Sequence, residues 1–179
     1  MFNPFFEAYT NTIRSERLLF RKLNLDDIES WIDFFYQNKN LAYLGIDTKR
    51  EAKILAQEWI EKQIERYQTQ GFGHLAVIEK ETQNFIGMGG ILPREIEGES
   101  FFEIAYSLKP SHWNLGFGTE IAQTIKDFGF NFKISNRFIS IIHIDNHASS
   151  NIAVKNGMTL WQNSIYLGMP VHIFAIEKK

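Results

Sequence analysis

No cysteine occurs among the 179 residues. That excludes disulfides, thiolate metal sites and a cysteine nucleophile. No apolar run approaches the roughly 20 residues of a membrane span, and Met1 to Thr10 lacks the basic start and apolar stretch of a secretory signal. Neither sign of charge is in excess: 19 Lys and Arg stand against 21 Asp and Glu, net −2, so nothing draws the chain generally to nucleic acid or to an anionic membrane. Repeats, low-complexity tracts and flexible linkers are missing too. These absences lead us to expect a cytoplasmic protein with neither a membrane nor a nucleic-acid partner.

What is present suits one domain over residues 1–179, with residues 1–15 as an N-terminal arm. Hydrophobic residues make up 44%, enough for a sizeable core, and sixteen phenylalanines make it rich in aromatics. The arm reads as irregular, with Pro4 and several aromatics. Residues 17–23 read as a strand. Asn24, with Asp27 three residues on, predicts a helix start, and Ile28, Trp31, Ile32 and Phe35 then share a face. Thr48 and Glu51 form a candidate capping box before a helix ending near Gly71.

Strands are expected at 74–80 and 84–92, a loose connection from Pro93 to Glu99, and a strand at 101–108. A helix at about 116–131 follows, then a strand at 138–144 buried on both faces. A short helix from Asn146 stops at Gly157, and a hairpin of 158–166 and 171–177 closes the chain. The order predicts an α/β (α+β) class, a mixed sheet with helices on its faces.

The richest segment is 103–120, where the strand Glu103-Ile104-Ala105-Tyr106-Ser107-Leu108 runs through Pro110 into a loop holding Gly116 and Gly118, and then into a helix. Two glycines before a helix expose its unpaired N–H groups to an anion, although the same spacing serves a plain strand-to-helix turn. No Lys-Ser or Lys-Thr follows the glycines, as a P-loop requires, and the dinucleotide-binding spacing is incomplete. Asn146 to Met158 reads as a second strand-to-helix unit, capped by Asn146 with Ser149 three residues on. His143 and His147 are four apart, but they fall in a strand and in the next helix. They share no helical face, and no metal is expected.

Taken together, three separated motifs resemble the GNAT N-acetyltransferases, in particular the ribosomal-protein alanine N-acetyltransferase branch. They are Ser15-Glu16-Arg17-Leu18-Leu19-Phe20-Arg21; Glu103-Ile104-Ala105-Tyr106 with Pro110 and Trp113-Asn114-Leu115-Gly116-Phe117-Gly118-Thr119-Glu120; and Asn146, Ser149 and Lys155-Asn156-Gly157-Met158. The likeness spans nearly the whole chain in order. Ala105, Asn114 and Met158 depart from the usual Gly, Gly and Phe.

The resemblance implies a twisted, mostly antiparallel sheet of about seven strands with helices on both faces. It also implies acetyl-coenzyme A as donor, a primary amine as acceptor, and direct transfer in a ternary complex. The pyrophosphate is expected on Trp113, Asn114, Leu115, Gly116, Phe117, Gly118 and Thr119, and the pantetheine along Tyr106, Ser107 and Leu108. Asn146 and Ser149 are expected on the other wall, with Lys155 reaching the coenzyme phosphates. An amine is largely protonated at neutral pH, so the chemistry needs a base. Glu103 is the candidate, directly or through water. The helix 147–156 lacks the tyrosine many relatives use as acid. Ser149 stands in its place, with Tyr166 a more remote candidate.

The branch implies a protein N-terminal α-amine as acceptor. Two alternatives stay open. One is a small amine (an aminoglycoside, polyamine or amino acid), which the acidic trio Glu95, Glu97 and Glu99 would suit. The other is a coenzyme-A-binding sensor without turnover. A monomer or a homodimer is expected, the latter through an exposed aromatic arm of Phe2, Phe5 and Phe6.

Overall fold

The computed structural model describes residues 4–178; Phe2 of the aromatic arm lies outside them. A seven-stranded sheet is built from β1 (Leu18–Arg21), β2 (Gly73–Glu79), β3 (Phe85–Ile96), β4 (Glu99–Leu108), β5 (Arg137–His143), β6 (Thr159–Tyr166) and β7 (Met169–Glu177). Its order is β1-β2-β3-β4-β5-β7-β6, antiparallel everywhere except between β4 and β5. The helices are α1 (Phe6–Asn11), α2 (Asp27–Trp31), α3 (Ala52–Thr69), α4 (Phe117–Asn131) and α5 (His147–Lys155). This is the mixed, mostly antiparallel α/β architecture expected.

The α4 stripe of Ile121, Ala122, Ile125 and Phe128 is buried against β3 and β4. The contact is close because β3 carries glycine there: a Cβ on Gly89 would come 2.4 Å from the Ile121 side chain. On α3, Ala56, Ile60, Gln63 and Tyr67 are buried. An aromatic stack joins Trp31 to Phe34 at 4.4 Å and to Phe85 at 5.5 Å, with Trp59 edge-on. Trp31 and Trp59 are therefore core residues.

Three expectations change. The arm is not irregular, since Phe6–Asn11 is helical. From it the buried Tyr9 hydroxyl donates to Gly73 O and accepts from Ile91 N at 2.8 Å, replacing a ladder bond between β2 and β3. No capping box forms at Thr48 and Glu51; Glu51 precedes α3 without a side-chain cap bond.

Residues 93–96 are strand, not a loose connection, and the Glu97–Gly98 turn, both at positive φ, closes a long hairpin. Proline is tolerated in it for a geometric reason. The Ile91 N–H points away from β4, to Tyr9, and alternation aims the Pro93 nitrogen the same way, beyond the end of β2.

What positions the site is the parting of β4 and β5. They share one register pair, Glu103 with Ile139. Just beyond it Ser140 Oγ donates to Ile104 O at 2.8 Å, and no β5 partner follows among the described residues. The Ile104 carbonyl faces β5, so alternation turns the Tyr106 N–H and C=O into the same open wedge.

Candidate functional site

A cavity of 590 Å³ fills the wedge. Its floor includes Glu103, Tyr106 and Ser107 of β4 and Ser140 and Ile142 of β5. Asn146, Ser149 and Ile152 of α5 form one wall, while α3, β2 and β3 supply the opposite end. The alternation noted in the sequence left open which side of β4 faces the site. In the structure Glu103, Ala105 and Ser107 face the cavity beneath α3, whereas Tyr106 packs toward Gly118 of α4 and turns its hydroxyl to α5.

Glu103 sits at the apex, 6% exposed. Its Oε2 accepts from Arg94 Nε at 2.6 Å and its Oε1 from Ile141 N at 3.4 Å. The carboxylate thus spans the gap where the two strands part. Arg94, two residues from Leu92 on the same face of β3, is drawn there by the hairpin extension and lies 5.7 Å from the Tyr166 ring centroid. Burial opposes the Arg94 charge, but Glu103 raises its pKa overall. Tyr166, the more remote acid candidate, is therefore placed beside Arg94.

At the other end α5 begins with Asn146, whose Oδ1 accepts from Ser149 N at 3.2 Å. The Tyr106 hydroxyl lies beside Ser149. Burial pushes it up to about 12, the nearby Ser149 partly offsetting this, and no protein group completes a well-aligned hydrogen bond to it.

The glycine loop is fixed from both sides. Trp113 Nε1 donates to Leu108 O at 2.9 Å, and Asn114 adopts positive φ without strain-relieving glycine. Gly116, with φ +82°, caps α4 with no side-chain hydrogen bond, which leaves the first-turn N–H groups of Phe117, Gly118 and Thr119 unpaired by any cap. Leu115 is exposed and Phe117 buried. Gly118 also serves packing: a Cβ there would lie 2.8 Å from Ile152 of α5.

Arg17 clamps the loop. It donates to Glu120 Oε2 at 2.7 Å and to Leu115 O at 3.1 Å, and covers the Phe117 ring at 4.2 Å. Glu120 also accepts from Ser15 Oγ at 2.6 Å, and these bonds lower its pKa against the opposing effect of burial. The first motif of the sequence therefore braces the second. Lys155 lies on the exposed last turn of α5, outside the cavity lining. Its neighbour Asn156 reaches Thr119 O at 3.4 Å.

The arrangement accommodates a long acyl thioester. The wedge turns the Tyr106 backbone groups toward the cavity, and the uncapped α4 terminus presents unpaired N–H donors; Leu108 and residues 113–119 lie outside the cavity lining. Elsewhere, His143 stacks on Tyr43 at 4.9 Å. Among the described residues no group of three or more His, Asp or Glu is placed to hold a metal ion, and no helix is long and apolar enough to cross a membrane.

The end of the cavity under α3 departs from the sequence reading. Glu95, Glu97 and Glu99 sit exposed at the hairpin tip, outside the cavity. The residues that line it are Arg50, Lys62, Arg66, His74 and Arg94, with Asp47 and Glu58. Sequence patterning missed Arg66, His74 and Arg94 because they come from three separate elements.

Residues 17–159 match the model of the acetyltransferase (GNAT) domain. The protein YkkB of Bacillus subtilis (strain 168) is 31% identical over 116 residues, a stretch covering 65% of this chain and 65% of that protein, just under two thirds of its length. Among solved structures, a RimL ribosomal L7/L12 α-N-protein acetyltransferase superposes with a TM-score of 0.77 at 19% identity, covering 93% of each chain. A putative ribosomal-protein-serine acetyltransferase from Vibrio cholerae gives 0.76 at 20% identity, covering 94% of this chain and 99% of that one. At those identities the likeness establishes the fold.

Proposed function

Since the chain belongs to the GNAT acetyltransferase family, we propose that it moves an acetyl group from acetyl-coenzyme A to a protein N-terminal α-amine, in a ternary complex and without an acyl-enzyme. Acetyl-coenzyme A supplies the reactive thioester. The observation that carries the reading is a buried carboxylate at the apex of a strand wedge whose Tyr106 backbone groups face the cavity. Those groups suit the pantetheine, and the Tyr106 N–H suits the thioester oxygen as charge develops on it. The α4 terminus, from Trp113 to Thr119, takes the pyrophosphate. The names of two structural neighbours, both acetyltransferases of ribosomal proteins, support a protein N-terminus as acceptor.

Glu103 takes the proton the amine loses as nitrogen bonds the acyl carbon. Arg94 keeps that carboxylate aimed before the acceptor enters. As the carbon–sulfur bond breaks, the Tyr106 hydroxyl, beside Ser149, gives its own proton to the sulfur, and exchange with solvent after product release restores the phenol and the Glu103 carboxylate. Tyrosine is the better donor of the two, because even with burial pushing it up to about 12 a phenol is a stronger acid than an alcohol. An α-amine suits this base, since its pKa of about 7.7–8.0 leaves far more neutral amine at pH 7 than lysine at about 10.4.

Glu103→Gln tests the reading. With ribosomal-protein N-terminal peptides as acceptors, kcat should fall by roughly 10²–10⁴-fold, the range of a lost general base. Coenzyme A affinity should hold within about twofold, a change of under about 0.5 kcal/mol. Unchanged turnover across the pH range removes Glu103 as the base.

A further inference from the structure

The acceptor end of the cavity is built around cations that the protein does not neutralise. Arg66 and Lys62 stand one turn apart on α3 and both line it. Among the described residues neither forms an ion pair. The other charges there are largely matched: Arg50 is held by Glu58 at 2.9 and 2.5 Å, and Arg94 by Glu103 at 2.6 Å. Asp47 also lines this end, but it pairs with neither of the remaining two, and its Oδ1 accepts from Lys49 N at 3.0 Å. Arg66 makes one bond, from Nη1 to Gln63 Oε1 at 3.2 Å. Burial, together with the neighbouring Arg94, pulls its pKa below that of an ordinary guanidinium, and Glu103 only partly offsets this. Among the described residues the site thus carries a half-buried cation without an ion-pair partner.

His74 supplies an independent sign. It is 6% exposed, lines the same end, and neither ring nitrogen has a partner. Its backbone is fixed, with His74 N donating to Gln63 Oε1 at 3.0 Å and His74 O accepting from Tyr67 Oη. Two unpartnered buried nitrogens are unfavourable unless a ligand meets them. Gln63 Oε1 accepts from both residues and so sets Arg66 and His74 side by side.

We propose that this end is an oxyanion subsite: the acceptor carries, besides its amine, a carboxylate or phosphate that docks on Arg66 and Arg94, with His74 as a third polar contact. The guanidinium fork suits a planar carboxylate in two-point contact. The amine then lies at Glu103, which shares Arg94 with the bound anion. The acceptor class is thus an acidic N-terminus or a small amino-acid-like amine, and polycations such as aminoglycosides and polyamines are disfavoured by like charge. This inference rests on the acetyl-transfer reading above for the role of the amine, but not for the anion site itself.

Three matched pairs of probes test it: Ala-Asp-amide against Ala-Asn-amide, alanine against alaninamide, and phosphoethanolamine against ethanolamine. Each is measured twice, as coenzyme A release from acetyl-coenzyme A and as calorimetric binding to the intact protein saturated with coenzyme A. The charged member of at least one pair should exceed its neutral partner by about tenfold or more, the scale of one charge-assisted contact. The winning pair identifies the source of the anion. Arg66→Gln should collapse that ratio toward unity, Arg66→Lys should keep part of it, and coenzyme A binding reports that both variants fold. Neutral members equal to or better than charged ones in all three pairs overturn the inference and leave acetyl transfer standing. A ratio that survives Arg66→Gln also overturns it. Selective binding of a charged member without any transfer supports the anion site and counts against the transfer reading.

Discussion

Replacing His74 by glutamine separates the electrostatics of the acceptor end from its shape. An exposed histidine takes up a proton near pH 6.5; in the fold, burial first and then the charges of Arg66 and Arg94 drive the His74 pKa down to about 3. Above 6.5 the ring is neutral in the folded and the unfolded chain, so its contribution to stability is fully present. As pH falls below 6.5 the unfolded chain binds a proton that the native site refuses, and stability drains away until the pH approaches 3. The slope approaches about 1.4 kcal/mol per pH unit well below pH 6.5, so between pH 6.5 and 4.5 this residue removes about 2 kcal/mol. That is a large share of the roughly 5–15 kcal/mol that holds a domain folded.

Urea unfolding followed by tryptophan fluorescence at pH 7.5, 6.5, 5.5 and 4.5 reads the effect. The variant carries no ionisable group at position 74, so the stability gap between wild type and His74→Gln should move in the variant's favour by about 2 kcal/mol over that range. All other titrations occur in both proteins and cancel. His74→Met repeats the measurement without a buried amide, and its gap should move equally. A gap constant to within about 0.5 kcal/mol across the pH range, in both variants, refutes the argument that the site holds a neutral imidazole among cations.

Two further substitutions probe the donor end. Arg17→Ala unties Leu115 and Glu120 from the glycine loop, and with the side chain 44% exposed, the bonds are discounted to about 1 kcal/mol; calorimetry should show coenzyme A affinity weakened by roughly fivefold, and an unchanged value means the clamp does not shape the loop. Tyr106→Phe removes a hydroxyl that lacks a protein partner, so stability should hold or rise by up to about 1 kcal/mol while kcat falls about tenfold or more; equal kcat in single-turnover measurements removes Tyr106 as the proton donor.

Much of the donor half was legible because it is local in sequence. Glu103, Tyr106 and the glycine loop lie within one strand-loop-helix unit, and Asn146 and Ser149 lie within another, so spacing alone brings each group together. The acceptor half is not local. Arg66, His74 and Arg94 meet only through the pairing of β2 with β3 and the packing of α3 on β2, and each taken alone reads as a surface or core residue. The acidic trio at 95–99 drew attention in the sequence because its members are adjacent, yet a tight turn carries them away from the cavity.

Backbone direction was the other obscured quantity. Pro93 signals a break until one knows that its nitrogen faces no strand. Thr48 and Glu51 have the letters of a cap without its geometry, and the Phe6–Asn11 turn is too short for periodicity to reveal.

Tyr9 has a consequence for how this chain can be divided. The family match begins at residue 17, and a boundary drawn there would treat the preceding residues as a dispensable leader. Yet the Tyr9 hydroxyl acts as a rivet between Gly73 and Ile91, one residue from His74. Trimming to the recognisable homology would remove the hydroxyl that bridges Gly73 O and Ile91 N, next to a residue that lines the cavity. A segment outside the shared pattern thus holds two central strands of the sheet together beside the cavity.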